Sequence, residues 1–254
     1  MLGVDKKFRQ RLEKDLKRMP PVTVGKDGLV KEWLMYDAER SDPSHRHSSH
    51  LVGLYPFGMI SQTKTPELFE ASKRSLAKQT SDPNWEDTEW STGNMICFNA
   101  FLKDGDKAHG WLQNLFKAFT RENLMTVSPA GIAGAPSDIF SFDATEASVA
   151  GICDMLVQSF DGYIELLPAL PSAWPTGSVK GLCAQGAFTV DLNWKDSKPV
   201  SADIRAEKAN TLNLLVDYGT PFTMTVDGKT VTPKLKGDIA SIDLRPGQTL
   251  SIRY

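Results

Sequence analysis

Apolar residues recur with two different periods along the chain, and the change falls near Tyr163. Before this point they return every three or four positions, which is the spacing of one face of a helix. After it they return at every second position, as in strands with one buried face. The pattern therefore predicts a helical part over residues 1–162 and an all-β part over residues 163–254.

Helical periodicity predicts five helices before the change. Phe8, Leu12 and Leu16, spaced by four in a charged stretch, predict a surface helix. Thr65-Pro66-Glu67 predicts the start of a second helix, which runs to about Gln79, because it offers a hydroxyl cap, a proline at the first helical position and an acid in the first turn. More strongly apolar helices are expected over 92–102, 106–119 and 147–160. No strand pattern interrupts them.

The second half predicts antiparallel strands separated by turns. Alternation of apolar and polar residues covers 188–194, 200–204, 222–226, 242–244 and 250–254. Asp196-Ser197, Asp227-Gly228 and Pro246-Gly247 supply turn residues between them. Short strands at this spacing indicate a β-sandwich, joined to the helical part by a proline-rich stretch over 166–175.

Composition narrows the class of partner. The 254 residues carry 29 basic and 31 acidic side chains, a formal net charge of −2, which gives no reason to expect nucleic acid or an anionic membrane. The apolar runs are too short to span a bilayer, and residues 1–5 contain no signal-peptide pattern. The three cysteines, Cys97, Cys153 and Cys183, form neither a disulfide framework nor a CxxC pair. We expect three buried thiols.

One segment of the helical part concentrates unusual chemistry. His45, His47 and His50 lie within six residues, with Arg46 among them. A metal site is one alternative, although the spacing is not that of a zincin helix. Histidines that cap a helix or bond in the core are a second alternative. The third is a polar pocket wall, in which Arg46 and His47 donate to a polyhydroxylated ligand.

Two further features bear on a sugar ligand. Glu32-Trp33 and the acidic run 86–89 before Trp90 place carboxylates beside indoles, a pairing that sugar sites use, although each pair by itself is more often surface or core. A long loop over 121–142 leads into Asp143, and loops of this length in compact domains are usually functional or disordered. Asp143 could also be a simple helix N-cap.

Three motifs carry a resemblance to a known family. The segments 28–33, 42–56 and 166–182 resemble glycoside hydrolase family 95, whose members are α-L-fucosidases and related α-L-galactosidases. The resemblance implies an N-terminal β-domain, an (α/α)6 catalytic barrel and a C-terminal β-domain. This chain is similar to the later barrel helices, a partial (α/α)6 barrel, followed by the antiparallel β-sandwich domain.

The resemblance also implies roles for individual residues in an inverting mechanism. Asp143 matches the general base that activates water, and Arg46-His47 matches the pair that holds the sugar. Trp90 matches the tryptophan of a Thr-Gly-Trp-Ser motif. Two departures stand out: Glu89 replaces the glycine of that motif, and residues 144–147 replace the Gly-Asn-Phe-Gly expected after Asp143.

The general-acid motif of the family, Ser-Pro-Glu-Asn, is absent from this sequence, and the resemblance places it and the water-holding asparagines upstream of Met1. We therefore expect a ligand that is a fucosylated glycan or oligosaccharide, no metal or organic cofactor, and a secreted or periplasmic parent protein. This chain by itself is expected to be inactive and to self-associate through an incomplete barrel. The alternative is a non-catalytic carbohydrate-binding protein or an inactive fragment.

Overall fold

The computed structural model describes residues 4–35, 44–216 and 220–254. Ser41 to Pro43, at the start of the histidine segment, lie outside the described residues. The helices are α1 (Lys6–Leu16), α2 (Pro66–Thr80), α3 (Glu89–Phe101), α4 (Gly105–Ala118) and α5 (Phe142–Leu156), with short 3-10 turns at Ser49–Leu51 and Ile132–Gly134. All five predicted helices are present, although α5 begins five residues earlier than expected.

The centre of the helical part is the pair α3 and α5. A Cβ on Gly93 would lie 3.3 Å from the Cα of Ala144, and one on Gly151 would lie 2.5 Å from Ile96 Cγ2. The contacts therefore advance in the same direction along both helices, which makes them parallel. Small residues at the contact let the two backbones approach closely. α4 lies between them in sequence and packs chiefly on α3.

Local sequence signals fix where the helices begin. Thr88 and Ser91 form a reciprocal capping box at the start of α3, and Asp104 accepts a hydrogen bond from the Lys107 amide at the start of α4. Pro66 is the first residue of α2, as predicted. Thr65 does not cap that helix with its hydroxyl, which instead accepts from the Ser61 amide at 2.9 Å.

The long loop before α5 contains strands, which corrects the expectation that no strand interrupts the helices. β1 (Val127–Ser128) and β2 (Ile139–Phe140) pair in antiparallel fashion. An Arg121–Asp138 ion pair and a hydrogen bond from the Thr126 hydroxyl to the Ser141 carbonyl hold the hairpin closed. Two-residue strands leave no periodicity, so the sequence pattern could not reveal them.

Residues after α5 form antiparallel strands. They are β3 (Val157–Gln158), β4 (Glu165–Leu166), β5 (Gly177–Ala184), β6 (Phe188–Lys195), β7 (Lys198–Ala206), β8 (Asn210–Leu215), β9 (Thr223–Val226), β10 (Lys229–Thr230), β11 (Lys234–Lys236), β12 (Ile239–Leu244) and β13 (Thr249–Arg253). A six-stranded sheet has the order β10-β9-β13-β7-β6-β5, and a three-stranded sheet has the order β11-β12-β8. The inward residues of both sheets share one apolar core.

The predicted strands and turns of this half are confirmed. The sequence pattern missed two longer strands, β5 and β8, and the short strands β4, β10 and β11. Asp196 and Ser197 both have positive φ between β6 and β7, the backbone of a tight hairpin turn. β5 was missed because it is a largely exposed edge strand, with a register shift between Val179 and Leu182. β8 was missed although Leu212 and Leu214 alternate inward along it.

A polar cluster joins the helical and β parts. Lys103 Nζ donates to Gln158 Oε1 at 2.6 Å and to Glu165 Oε2 at 2.7 Å, and so links the end of α3 to β3 and β4. The Gln158 amide donates to the Ala100 carbonyl at 2.9 Å. Burial raises the pKa of the nearby Asp154 to about 7, and the charge of Lys103 opposes that rise.

Solvent exposure differs among the cysteines and is high along the apolar stripe of α1. Of the cysteines, Cys97 is buried, Cys153 is partly buried and Cys183 is exposed, so the expectation of three buried thiols is wrong. The α1 stripe of Phe8, Leu12 and Leu16 is 58%, 44% and 65% exposed. Within the described ranges, no helix is both long and apolar enough to cross a membrane.

The first prediction tests the close approach at the start of α4. A Cβ on Gly105 would lie 2.2 Å from the Ala169 carbonyl oxygen, and this backbone atom cannot move aside as a side chain can. We expect Gly105→Ala to lower the free energy of unfolding by about 2–3 kcal/mol in urea denaturation. Gly110→Ala is the matched control on the same helix, because a Cβ there meets nothing within 4 Å. It should stabilise by about 0.5–1 kcal/mol. Equal stability of the two variants would contradict this packing.

The second prediction concerns Asp154. Its pKa rises from 3.8 when unfolded to about 7 when folded. The folded state therefore binds more protons between these values, and the stability contribution of Asp154 falls as the pH rises through that window. Asp154→Asn should remove this part of the pH dependence and stabilise the protein by about 1–2 kcal/mol at about pH 8. Urea denaturation at a series of pH values checks this, and an unchanged pH profile would contradict it.

Candidate functional site

Three of the four predicted site residues meet at the start of α3. Trp90 is the second residue of α3, and its indole Nε1 donates to His47 Nδ1 at 3.0 Å. The two ring centroids are 6.0 Å apart at an interplanar angle of 62°. Arg46 precedes His47, so the tryptophan and the Arg-His pair belong to one surface although they are more than 40 residues apart in sequence.

The indole contact determines which histidine nitrogen carries the proton. Nδ1 of His47 accepts from Trp90, so in the neutral ring the proton lies on Nε2. The backbone amide of His47 in turn donates to His45 Nδ1 at 3.2 Å, and the two imidazole centroids are 4.9 Å apart. The arrangement gives His47 a donor at Nε2, the polarity that a hydroxyl oxygen requires.

Arg46 is held by a carboxylate. Its Nη1 donates to Glu86 Oε2 at 2.8 Å, and its backbone amide donates to the same oxygen at 3.4 Å. The hydrogen bond from the Arg46 guanidinium lowers the pKa of Glu86 below its usual range. Glu86 itself is anchored by its amide, which donates to the Ser44 carbonyl at 2.9 Å. The pair fixes one edge of the guanidinium, which carries five N–H donors in all.

The segment that carries Arg46 and His47 is hydrogen-bonded to α2. The Gln79 side chain is 1% exposed, donates to the His45 carbonyl at 3.2 Å and accepts from the Ser48 hydroxyl at 2.9 Å. The Ser49 hydroxyl donates to Glu32 Oε1 at 2.7 Å. These bonds hold the segment in place, which is the pre-organisation that a binding surface needs.

Asp143 lies at the corresponding end of the neighbouring helix. It is exposed and occupies the second position of α5, whereas Ser141 is the N-cap, so the alternative that Asp143 caps this helix is wrong. Because α3 and α5 are parallel, their first turns, with Trp90 and Asp143, lie at the same end of the pair. Within the described residues no hydrogen bond joins Asp143 to Arg46, His47 or Trp90.

The three acidic residues before Trp90, which are Glu86, Asp87 and Glu89, have different surroundings. Asp87 accepts from the Thr92 hydroxyl at 2.7 Å and from the Asn114 amide at 3.0 Å, which ties α3 to α4. Glu89 is 5% exposed, and its Oε2 has no hydrogen-bond partner among the described residues. The sequence singled out this run but could not distinguish the ion-paired Glu86, the network of Asp87 and the buried Glu89. In the Glu32-Trp33 pair, Trp33 is 50% exposed.

The surface formed by Arg46, His47 and Trp90 has the chemistry of a sugar site. It combines cationic and neutral N–H donors with an aromatic ring, and the carboxylate of Asp143 lies at the same end of the helix pair. Hydroxyl groups accept from such donors, while the apolar face of a pyranose packs on an aromatic ring. Among the described residues, no group of three or more histidine, cysteine, aspartate or glutamate side chains could hold a metal ion.

Two family models match consecutive parts of the chain. Residues 1–156 match the model of the glycosyl hydrolase family 95 catalytic domain, and residues 158–252 match the family 95 C-terminal domain. A solved GH127 β-L-arabinofuranosidase from Geobacillus stearothermophilus is 14% identical over 72% of this chain and 31% of its own, with a TM-score of 0.27. A TM-score this low carries no argument about the fold.

Two proteins of similar sequence are named as fucosidases. Alpha-L-fucosidase 2 of Arabidopsis thaliana is 32% identical over 75% of this chain and 22% of its own length. Probable alpha-fucosidase A of Aspergillus oryzae is 31% identical over 72% of this chain and 28% of its own length. The chain thus spans about a quarter of the length of the curated relatives it matches.

The third prediction tests the ion pair of the site. In Arg46→Gln the Glu86 carboxylate loses the guanidinium that stabilises its charge, so the pKa of Glu86 should rise towards the ordinary value of 4.5. An NMR titration of the side-chain carboxyl carbon measures the change. Arg74→Gln is the matched control, because Arg74 Nε donates to the Gly28 carbonyl instead. An unchanged Glu86 titration in Arg46→Gln would exclude the contact.

Proposed function

The chain belongs to glycoside hydrolase family 95, and on this premise we propose that it binds terminal α-L-fucosyl or α-L-galactosyl residues of glycans for inverting hydrolysis. The observation that carries the proposal is the hydrogen bond between Trp90 and His47, which brings the motif residues of sugar binding onto one surface. Arg46, ion-paired with Glu86, completes that surface.

Arg46 and His47 bind the hydroxyl groups of the sugar. The guanidinium has further N–H groups beyond the one that Glu86 engages, and the Trp90 contact leaves the proton of a neutral His47 ring on Nε2. Hydrogen bonds to a charged donor are typically worth about 1.5–3 kcal/mol each. Fixed donors of this kind orient the anomeric carbon as well as retaining the sugar.

Asp143 acts as the general base that takes a proton from the attacking water. Its exposed position in the first turn of α5 supports this role, because substrate and water can reach it and a negative charge is favourable at a helix N-terminus. An inverting enzyme needs a carboxylic acid on the other side of the sugar, with the two carboxyl groups roughly 6.5–9.5 Å apart. We propose that this acid is not among residues 1–254, since the sequence contains no Ser-Pro-Glu-Asn motif.

The architecture behind the site is proposed to be part of an (α/α)6 barrel over residues 1–162, followed by a β-sandwich domain over residues 163–254. The parallel pair α3 and α5, with α4 between them in sequence, supports alternation of inner and outer helices. Two antiparallel sheets around one apolar core support the sandwich.

Exposed apolar side chains support self-association of this chain. Phe142 and Val149, two turns apart on α5, are 56% and 58% exposed, and the α1 stripe is exposed as well. Apolar surface of this kind promotes association. A barrel helix packed beside α5 would cover Phe142 and Val149.

The fourth prediction combines binding and turnover. Purified residues 1–254 should bind L-fucose in calorimetry but release no detectable fucose from an aryl α-L-fucoside, because general acid catalysis is worth roughly 10²–10⁴ in rate. Arg46→Ala should weaken fucose binding by roughly ten- to a hundredfold. Size-exclusion chromatography should show species larger than a monomer.

Arg74→Ala serves as the control, since Arg74 contacts the Gly28 carbonyl away from the site. Robust turnover by a monomer would show that an acid lies within this chain, with Glu32, Glu86 and Glu89 the first to mutate. Absence of fucose binding by the wild-type chain would refute the proposed function. Binding without turnover is also what a non-catalytic carbohydrate-binding protein would show, and fucose release restored by adding the segment that carries Ser-Pro-Glu-Asn would decide against that alternative.

A further inference from the structure

Two buried side chains, each with an oxygen that lacks a partner in the described ranges, lie in the elements that meet beside the site. Glu89 is 5% exposed and Ser141 is 6% exposed. Neither Glu89 Oε2 nor Ser141 Oγ has a hydrogen-bond partner among the described residues. Leaving such a group buried and unpaired is destabilising, and more so when the group is charged. Two in one neighbourhood indicate a missing third group.

The helix register brings these two residues to the same level. Gly93, one turn after Glu89 on the same face of α3, lies against Ala144, where its Cβ position is 3.3 Å from the Ala144 Cα. Because α3 and α5 are parallel, moving back one turn from both residues leads from Gly93 to Glu89 and from Ala144 to the residues just before α5. Ser141 is the residue immediately before α5.

The start of α5 also lacks a side-chain cap. Ser141 is its N-cap residue, yet the Ser141 hydroxyl makes no capping hydrogen bond. The first amides of the helix therefore keep their donor capacity. This end of the helix pair therefore has donors on α5 and a carboxylate acceptor on α3.

We propose that Glu89 and the N-terminal end of α5 bind one hydroxyl oxygen, which donates to Glu89 Oε2 and accepts from Ser141 Oγ or a first-turn amide. A hydroxyl group is both a donor and an acceptor, so one such group satisfies both partners. Its position beside the first turn of α5 is next to Asp143. The oxygen comes either from an ordered water or from a sugar hydroxyl, and the inference rests on the proposed function only for the second source.

The structure thereby assigns a role to the departure from the family motif at position 89. A glycine there offers no acceptor, whereas Glu89 adds a carboxylate next to Trp90. Glu89 is a positioning residue, since it holds an oxygen next to the base rather than taking the proton itself. A Glu89 variant therefore changes the affinity for a hydroxyl-bearing ligand more than the stability of the fold.

Crystal structures of residues 1–254, without ligand and with L-fucose, test the proposal directly. We expect an oxygen atom within hydrogen-bond distance of both Glu89 Oε2 and a donor of Ser141 or the first turn of α5. A water in both crystals identifies the first source, and a fucose hydroxyl in its place identifies the second. A direct Glu89–Ser141 hydrogen bond, or a pocket without any oxygen, would overturn the proposal. A chain that fails to bind fucose but holds this water refutes the proposed function and leaves the inference standing.

Variants supply the fifth prediction. If the hydroxyl is that of a sugar, Glu89→Gln should weaken L-fucose binding roughly tenfold, because the charged acceptor is replaced by a neutral one. Its melting temperature should stay equal or rise, since the buried charge is removed. Glu146→Gln is the matched control, an exposed carboxylate on α5 whose loss should change neither quantity.

A purely structural role of Glu89 predicts the opposite result. If Glu89 is only a structural carboxylate, Glu89→Gln lowers the melting temperature and leaves fucose affinity unchanged. That combination, with no bridging oxygen in the crystals, would overturn the proposal.

Discussion

The close parallel packing of α3 on α5 is the constraint on which the rest of the helical part depends. Gly93 and Gly151 leave room for Ala144 and Ile96 at the contact, and larger side chains there would force the helices apart. Parallel packing places both N-termini at one end. The first turns of the two helices carry Trp90, proposed to bind the sugar, and Asp143, proposed to activate water. Separation of the helices would therefore also separate these two residues.

Around this pair, the proposed binding surface is built from a segment that has almost no regular structure of its own. Residues 44–49 are held by side chains of other elements, with Gln79 of α2 below and Glu86 and Trp90 beside them. Glu86 engages the amide and the guanidinium of Arg46, and Gln79 engages the His45 carbonyl and the Ser48 hydroxyl. Such an arrangement gives a loop the rigidity of the helices that hold it.

The β part is tied to the same helix pair at its opposite end. Lys103 follows α3 and bonds to both β3 and β4, while Leu156 and Val157 at the end of α5 belong to the apolar core of the sheets. The sheets therefore brace the ends of α3 and α5 that lie farthest from the site. Asp154 in this junction is partly buried, and this burial disfavours its charged form and so raises its pKa.

Local patterns in the sequence determined the five helices, five of the longer strands and the change of architecture near Tyr163, because periodicity and turn residues act over a few positions. The motif resemblance also selected Arg46, His47, Trp90 and Asp143. The sequence did not reveal the β1–β2 hairpin, the edge strand β5 or the end of α5, since these depend on pairing with distant residues. Only the tertiary structure decided that Trp90 bonds His47 and that Glu86 holds Arg46. It also decided that Glu89 is buried, with no partner for its Oε2 in the part of the chain that the structure describes. Those outcomes depend on which side chains the folded chain brings together, and these residues are far apart in the sequence.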